Sequence, residues 1–167
     1  MPKPTEHAPL ICTICTILAL IGIVLGLVFH NPLLVIFFLM PTVGYEIYRT
    51  EGASTKFSSI AIAVVLVAEL LLIIFHVNYD LIKFFGTEQE YVAGYSIPLG
   101  DIKIVGPFLL AILSIILFIR TYGVYTKWLA VIVFVSSFAI IYALDPNIFS
   151  QMVKFGIREI FDRGSYY

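Results

Sequence analysis

The sequence predicts an all-α, polytopic membrane bundle: five transmembrane helices with a parallel internal two-helix repeat, plus a C-terminal amphipathic helix at the interface. Three observations predict it. Of the 167 residues, 60% are hydrophobic and 13% are charged, whereas a soluble domain has about a quarter of its residues charged. Mean hydropathy is +1.02, so the chain cannot cover a water-facing surface with polar groups. Finally, Arg49-Thr50-Glu51-Gly52-Ala53-Ser54-Thr55-Lys56-Phe57 returns 71 residues on, without a gap, as Arg120-Thr121-Tyr122-Gly123-Val124-Tyr125-Thr126-Lys127-Trp128. The same offset relates Lys83-Phe84 to Lys154-Phe155 and Phe37 to Phe108. Fixed-period similarity marks a duplicated structural unit.

The first span occupies residues 10–30. It is too long for the apolar region of a cleaved signal, and no small-x-small site follows it, so it is expected to stay as a span. Cys12 and Cys15 open it. Their C-x-x-C spacing can mean redox chemistry or half a metal site, but no second pair and no electropositive neighbour accompany it, and small helix residues are the simpler reading. Gly22 and Gly26 form a G-x-x-x-G that allows close approach of another helix. His30-Asn31-Pro32 ends the span, because a residue before proline avoids helical geometry.

Repeat unit one is residues 32–86 and unit two is 103–157. In unit one a short second span, Leu33 to Tyr48 with Pro41 inside it, is followed by the Arg49–Lys56 loop and a third span from Phe57 to about Tyr79. The long connection from Asp80 to Lys103 carries Glu88, Glu90 and Asp101, whose spacing fits no calcium loop. The piece from Tyr95 to Val105 has the pattern of a small hairpin: Ile102 and Ile104 alternate with Lys103, and Leu99-Gly100-Asp101 supplies turn residues. Unit two supplies a fourth span from Val105 to Ile119 and a fifth from Trp128 to Leu144. Asp145-Pro146 then reads as a helix cap and first position. The helix it opens, residues 146–163, has Phe149, Met152, Val153, Gly156 and Ile160 on one side and Lys154, Arg158, Glu159 and Asp162 mostly on the other. That is the pattern of a helix lying in the interface, and Tyr166-Tyr167 suit the headgroup region.

An offset of two spans keeps both units in one orientation, with a pseudo-twofold axis along the membrane normal. Both repeat loops then lie on one side. Each packs an arginine and a lysine into a few residues, which favours that side, and the N-terminus, being cytoplasmic, with the C-terminus outside the plasma membrane. Arg49, Lys56, Arg120 and Lys127 are candidate contacts for lipid phosphates or a partner, although a turn motif accounts for the loops by itself.

The most pointed residue is Glu69, an acid near the middle of the third span. An ionisable group there costs about 2.5–3.5 kcal/mol or more, and so faces a bundle interior or cavity. His76, seven positions on, lies on the same helix face, and Asp80 and Lys83 continue that stripe toward the interface. Thr42, Tyr45, Ser114, Ser136, Ser137 and Tyr142 are its candidate partners. Unit two has Ile140 in place of Glu69 and Asn147 in place of His76, so the stripe occurs once. A functional site explains that asymmetry; a buried hydrogen bond that specifies packing explains it more simply. His30 and His76 end spans of the same direction, at similar depth. Such a pair can ligate a b-type haem or a metal, though interfacial hydrogen bonding accounts for lone histidines.

Net charge is −1 with no basic cluster, which removes nucleic acid as a partner. No H-E-x-x-H, Walker or G-x-S-x-G signature is present. The expected partners are the lipid bilayer and other membrane subunits, or further copies of the chain. The first expectation is a non-catalytic accessory subunit of a larger membrane complex, in energy-converting or oxidoreductase surroundings, without a cofactor. The second is a small oligomeric transporter or proton/cation conduit using Glu69 and His76. The third is an electron-transfer protein holding haem b or a metal at His30 and His76.

Overall fold

The computed structural model describes residues 7–77, 91–92, 95–96, 102–150 and 153–154. Five long helices dominate these: α1 (Ala8–Phe29), α2 (Pro32–Arg49), α3 (Ala53–Ile74), α4 (Ile102–Arg120) and α5 (Val124–Leu144). Four of them, α1, α3, α5 and the Lys103–Arg120 stretch of α4, are long and apolar enough to cross a membrane. The described residues are accordingly helical, as an integral membrane protein's would be, apart from a two-residue antiparallel ladder pairing Tyr91 with Ser96 and Val92 with Tyr95. Large apolar side chains lie exposed along the outer faces, including Ile17, Val24, Phe37, Val64 and Ile119. In water they would form an untenable patch; in lipid they are solvated.

The turns follow local chemistry. His30 takes a left-handed φ of 49° and caps α1 by donating its N–H to the Gly26 carbonyl. Asn31 then caps α2, its Oδ1 accepting from Leu33 N at 3.0 Å, with Pro32 in the first turn where its missing N–H costs nothing. Gly52, at φ 99°, opens α3 in a conformation that side chains disfavour. After α5, Asp145 Oδ1 accepts from Asn147 N at 2.8 Å and Ile148 N at 3.4 Å, and residues 146–150 and 153–154 are helical. The rest of the expected 146–163 helix lies outside the described residues.

Two expectations are corrected. Ile102 to Ile104 form the first turn of α4 rather than a hairpin strand, so the ladder falls earlier and the helix starts sooner than Val105. An alternation of three residues is too short to outweigh continuity with a long apolar helix. The third helix ends at Ile74, short of Tyr79, and His76 follows it with φ 49°. His76 therefore does not share a helical face with Glu69.

The packing order is a closed ring: α2 on α3, α3 on α4, α4 on α5, and α5 back on α2. Neighbours in the ring run antiparallel, and α1 packs outside it against α2 and α5. The α1–α2 contact is close because Gly22 and Gly26 leave room. A Cβ on Gly22 would stand 2.5 Å from Phe38 Cβ, and one on Gly26 would collide with Val35. The G-x-x-x-G spacing thus fits the first helix onto the second. The core runs through the ring from Leu39, Val43, Ile62 and Leu66 to Leu110, Leu117, Leu129, Val133 and Ile140.

Candidate functional site: two buried carboxylates

Hydroxyls in a lipid-embedded helix have no water to satisfy them, and most here use a carbonyl within hydrogen-bond reach. Ser114 Oγ donates to Ala111 O at 2.7 Å and Ser137 Oγ to Phe134 O at 2.7 Å. Thr42 Oγ1 reaches across to Cys15 O of α1 at 3.4 Å. Tyr45 stacks on Tyr48, and Tyr142 meets Phe149 edge-on. Hence Thr42, Ser114 and Ser137, proposed from sequence as partners of Glu69, are turned to backbone oxygens. Ser136 Oγ is buried and has no hydrogen-bond partner among the described residues.

Glu69 is 1% exposed, so its carboxylate lies inside the ring and not against lipid. Its near neighbour is the backbone of α4. A Cβ on Gly106 would collide with Glu69 Oε2 and stand 2.8 Å from Glu69 Cδ. Glycine at that position is what admits the acid. Lys103 lies one helical turn before Gly106 on α4. Asp80, the expected continuation of the stripe, lies outside the described residues, as do Lys83, Glu88, Glu90 and Asp101. His76 is exposed beyond the end of α3, where its Nδ1 lies 3.1 Å from Ile74 O. His30 is likewise exposed at the end of α1. The two histidines end helices that both pack on α2 but share no hydrogen bond with each other, and no group of three or more metal-ligating side chains converges among the described residues. Cys12 and Cys15 are free thiols buried between helices.

A second acid, missed in the sequence, is buried as deeply. Glu46 on α2 is 0% exposed. Its Oε1 accepts from Ser59 Oγ of α3 at 3.4 Å, and Ser59 Oγ lies 2.9 Å from Thr50 Oγ1. Thr50 Oγ1 in turn donates to the Glu46 carbonyl at 2.7 Å, and Ser59 Oγ also reaches Thr55 O at 3.3 Å. Glu46 Oε2 has no hydrogen-bond partner among the described residues. Ser59 and Glu69 are ten residues apart on α3, so the two carboxylates differ in depth by about 15 Å along the ring. Glu46 stands near the end that carries the repeat loops, and Glu69 near the other.

The loops themselves touch in a reciprocal way. Arg120 Nη1 donates to Ser54 Oγ at 2.5 Å, and the Arg49 guanidinium lies 5.0 Å from the centre of the Tyr125 ring. The arginines occupy one position of the nine-residue motif and Ser54 and Tyr125 another, so each loop reaches the other at the same place. Thr50 N to Glu46 O is matched by Thr121 N to Leu117 O, and Lys56 N to Gly52 O by Lys127 N to Gly123 O. Lys56 is exposed, while Lys127 Nζ lies 5.4 Å from the centre of the Phe118 ring. Trp128 Nε1 donates to Thr16 Oγ1 of α1 at 3.0 Å.

Comparison with known proteins gives no match: no family model, no curated protein and no solved structure is similar to the chain.

Proposed function

We propose that the chain is a five-span integral membrane protein that binds and moves a small cation, proton or metal, across the bilayer. The observation that carries this reading is the pair of wholly buried carboxylates, Glu46 and Glu69, at different depths in the α2–α5 ring. An acid inside a membrane bundle is costly and is kept where it has work with ions or protons. Buried hydroxyls of Thr42, Ser114, Ser136 and Ser137 lie on the ring helices at depths between the two acids. His76 stands exposed at the end nearer Glu69 and is suited to pass protons to and from the surface. On this reading α2 also crosses the bilayer, and the two helical pairs form a parallel repeat. Residues 146–163 continue as an interfacial helix. The basic repeat loops face the cytoplasm of a plasma-membrane protein with its C-terminus outside. The reciprocal loop contacts and the closed ring support the repeat.

Reconstitution into proteoliposomes tests the function. Wild-type protein is expected to dissipate an imposed proton or sodium gradient, and Glu69→Gln to slow that flux about tenfold or more, as loss of a proton-relay or ion-binding group does. Absence of flux from the wild type, or equal flux from the variant, sinks the reading.

A second reading, an accessory subunit of a larger complex, draws on the ring's asymmetry. The first helix covers the α2–α5 seam, and no described helix covers the equivalent α3–α4 seam. A partner's helix would fit there. Native mass measurement after gentle solubilisation decides it: co-migrating proteins support the subunit reading, and a lone small species counts against it.

A further inference from the structure

The carboxylate at the loop end of α2 accepts from the Ser59 hydroxyl on one oxygen and leaves the other without a hydrogen-bond partner among the described residues, and we infer that Glu46, Ser59 and Thr50 bind a monovalent metal cation of the sodium class. The inference rests on the cation-handling reading above and names its ligand and the place where that ligand is first held.

The donor set consists of hard oxygen: two carboxylate oxygens, the Ser59 and Thr50 hydroxyls, and the Glu46 and Thr55 carbonyls to which those hydroxyls bond. Oxygen ligands of this kind select alkali and alkaline-earth cations over softer metals. Charge then decides between them. A single carboxylate balances one positive charge, whereas a divalent ion would bring an uncompensated charge into the ring, where calcium sites use several carboxylates. Arg49, three residues from Glu46, lays its guanidinium over Tyr125. Oε2 has no hydrogen-bond partner among the described residues, so its lone pairs are open to a metal cation, and the hydroxyls have lone pairs to add.

The position suits capture from one face. Thr50 caps the end of α2, Glu46 lies one turn inside it, and Ser59 faces both from the early turns of α3. Unit two has Leu117, Thr121 and Ala130 at the equivalent positions. It keeps one hydroxyl and loses the carboxylate, so each chain holds one such ion.

The test is a titration of the purified full-length chain in detergent with sodium chloride against choline chloride at constant ionic strength. Binding is read by calorimetry and by the thermal unfolding midpoint. Sodium is expected to bind saturably, one ion per chain, and to raise the midpoint, because a ligand of the native state stabilises it. Choline is expected to do neither. Glu46→Gln should weaken binding about tenfold or more and Ser59→Ala less, while Glu51→Gln in the exposed loop should leave it unchanged. Should Glu46→Gln fail to fold, Glu46→Leu with Ser59→Ala copies the unit-two core and serves in its place. Equal behaviour in sodium and choline overturns the inference. So does a sodium response that survives loss of Glu46, or a response to pH alone. Flux without sodium binding would refute this site and leave the cation-handling reading standing. Sodium binding without flux of any cation would do the reverse.

Discussion

The α2–α3 pair and the α4–α5 pair share a loop motif, a ring of neighbours and a burial pattern, yet their cores have opposite chemistry. At the offset of 71 residues, Glu46 corresponds to Leu117, Ser59 to Ala130 and Glu69 to Ile140, and all six side chains are buried. Backbone and packing are common to both pairs, so the acids of the first pair do not hold the fold together in a way the second pair lacks. A well-packed aliphatic core is often as stable as a buried ionic one, or more so. The carboxylates of the first pair are therefore the feature that separates the two cores. The second pair serves as an internal control for its structure. Its α5 is also the more completely buried helix, because α1 covers its outer side.

The comparison can be broken by moving the acids. Leu117→Glu or Ile140→Glu places a carboxyl where the second pair has a buried aliphatic side chain, with Ala130 in place of Ser59. A loss of about 3 kcal/mol or more is expected, measured by unfolding in mixed micelles. A tolerated acid at Leu117 would mean that the ring carries more water or polar space than its packing indicates. The converse change, Glu46→Leu with Ser59→Ala, should keep the fold and gain about 1–3 kcal/mol in the absence of cation. A strong loss would show that the polar cluster is structural.

Gly106→Ala sharpens the comparison at the other acid. The added methyl meets the Glu69 carboxylate, and such overpacking costs about 1–3 kcal/mol. Combining it with Glu69→Ala should recover most of that, and strict additivity of the two changes would show that the side chains do not touch. The smallest expected effect is at the loops. Arg49→Ala and Arg120→Ala should each cost less than about 1 kcal/mol, in similar measure, because both contacts lie at the surface. A tenfold disparity in their effects on unfolding equilibria would argue against equivalent roles.

Some of this was legible and some was not, for identifiable reasons. The membrane class and the 71-residue offset could be read because Arg, Thr, Gly and Lys are conspicuous in so apolar a chain. Glu69 could be read because it stands alone amid aliphatic residues. Glu46 could not, because Tyr45, Tyr48 and Arg49 surround it and make the end of α2 look wet. The one available signal was its leucine counterpart in unit two, a contrast that was drawn for Glu69 and not for Glu46. His76 was misplaced because hydropathy continues past Ile74 while the backbone turns left-handed.

The apolar character and the presence of long helices were thus set by the sequence acting locally, since transfer to lipid and helix formation depend on runs of neighbouring residues. Which side chains meet was decided only by the tertiary structure. Gly106 beside Glu69, Ser59 beside Glu46, and Arg120 against Ser54 are contacts between residues far apart in the chain. They exist because α3 packs between α2 and α4, and no single helix carries the information for that packing.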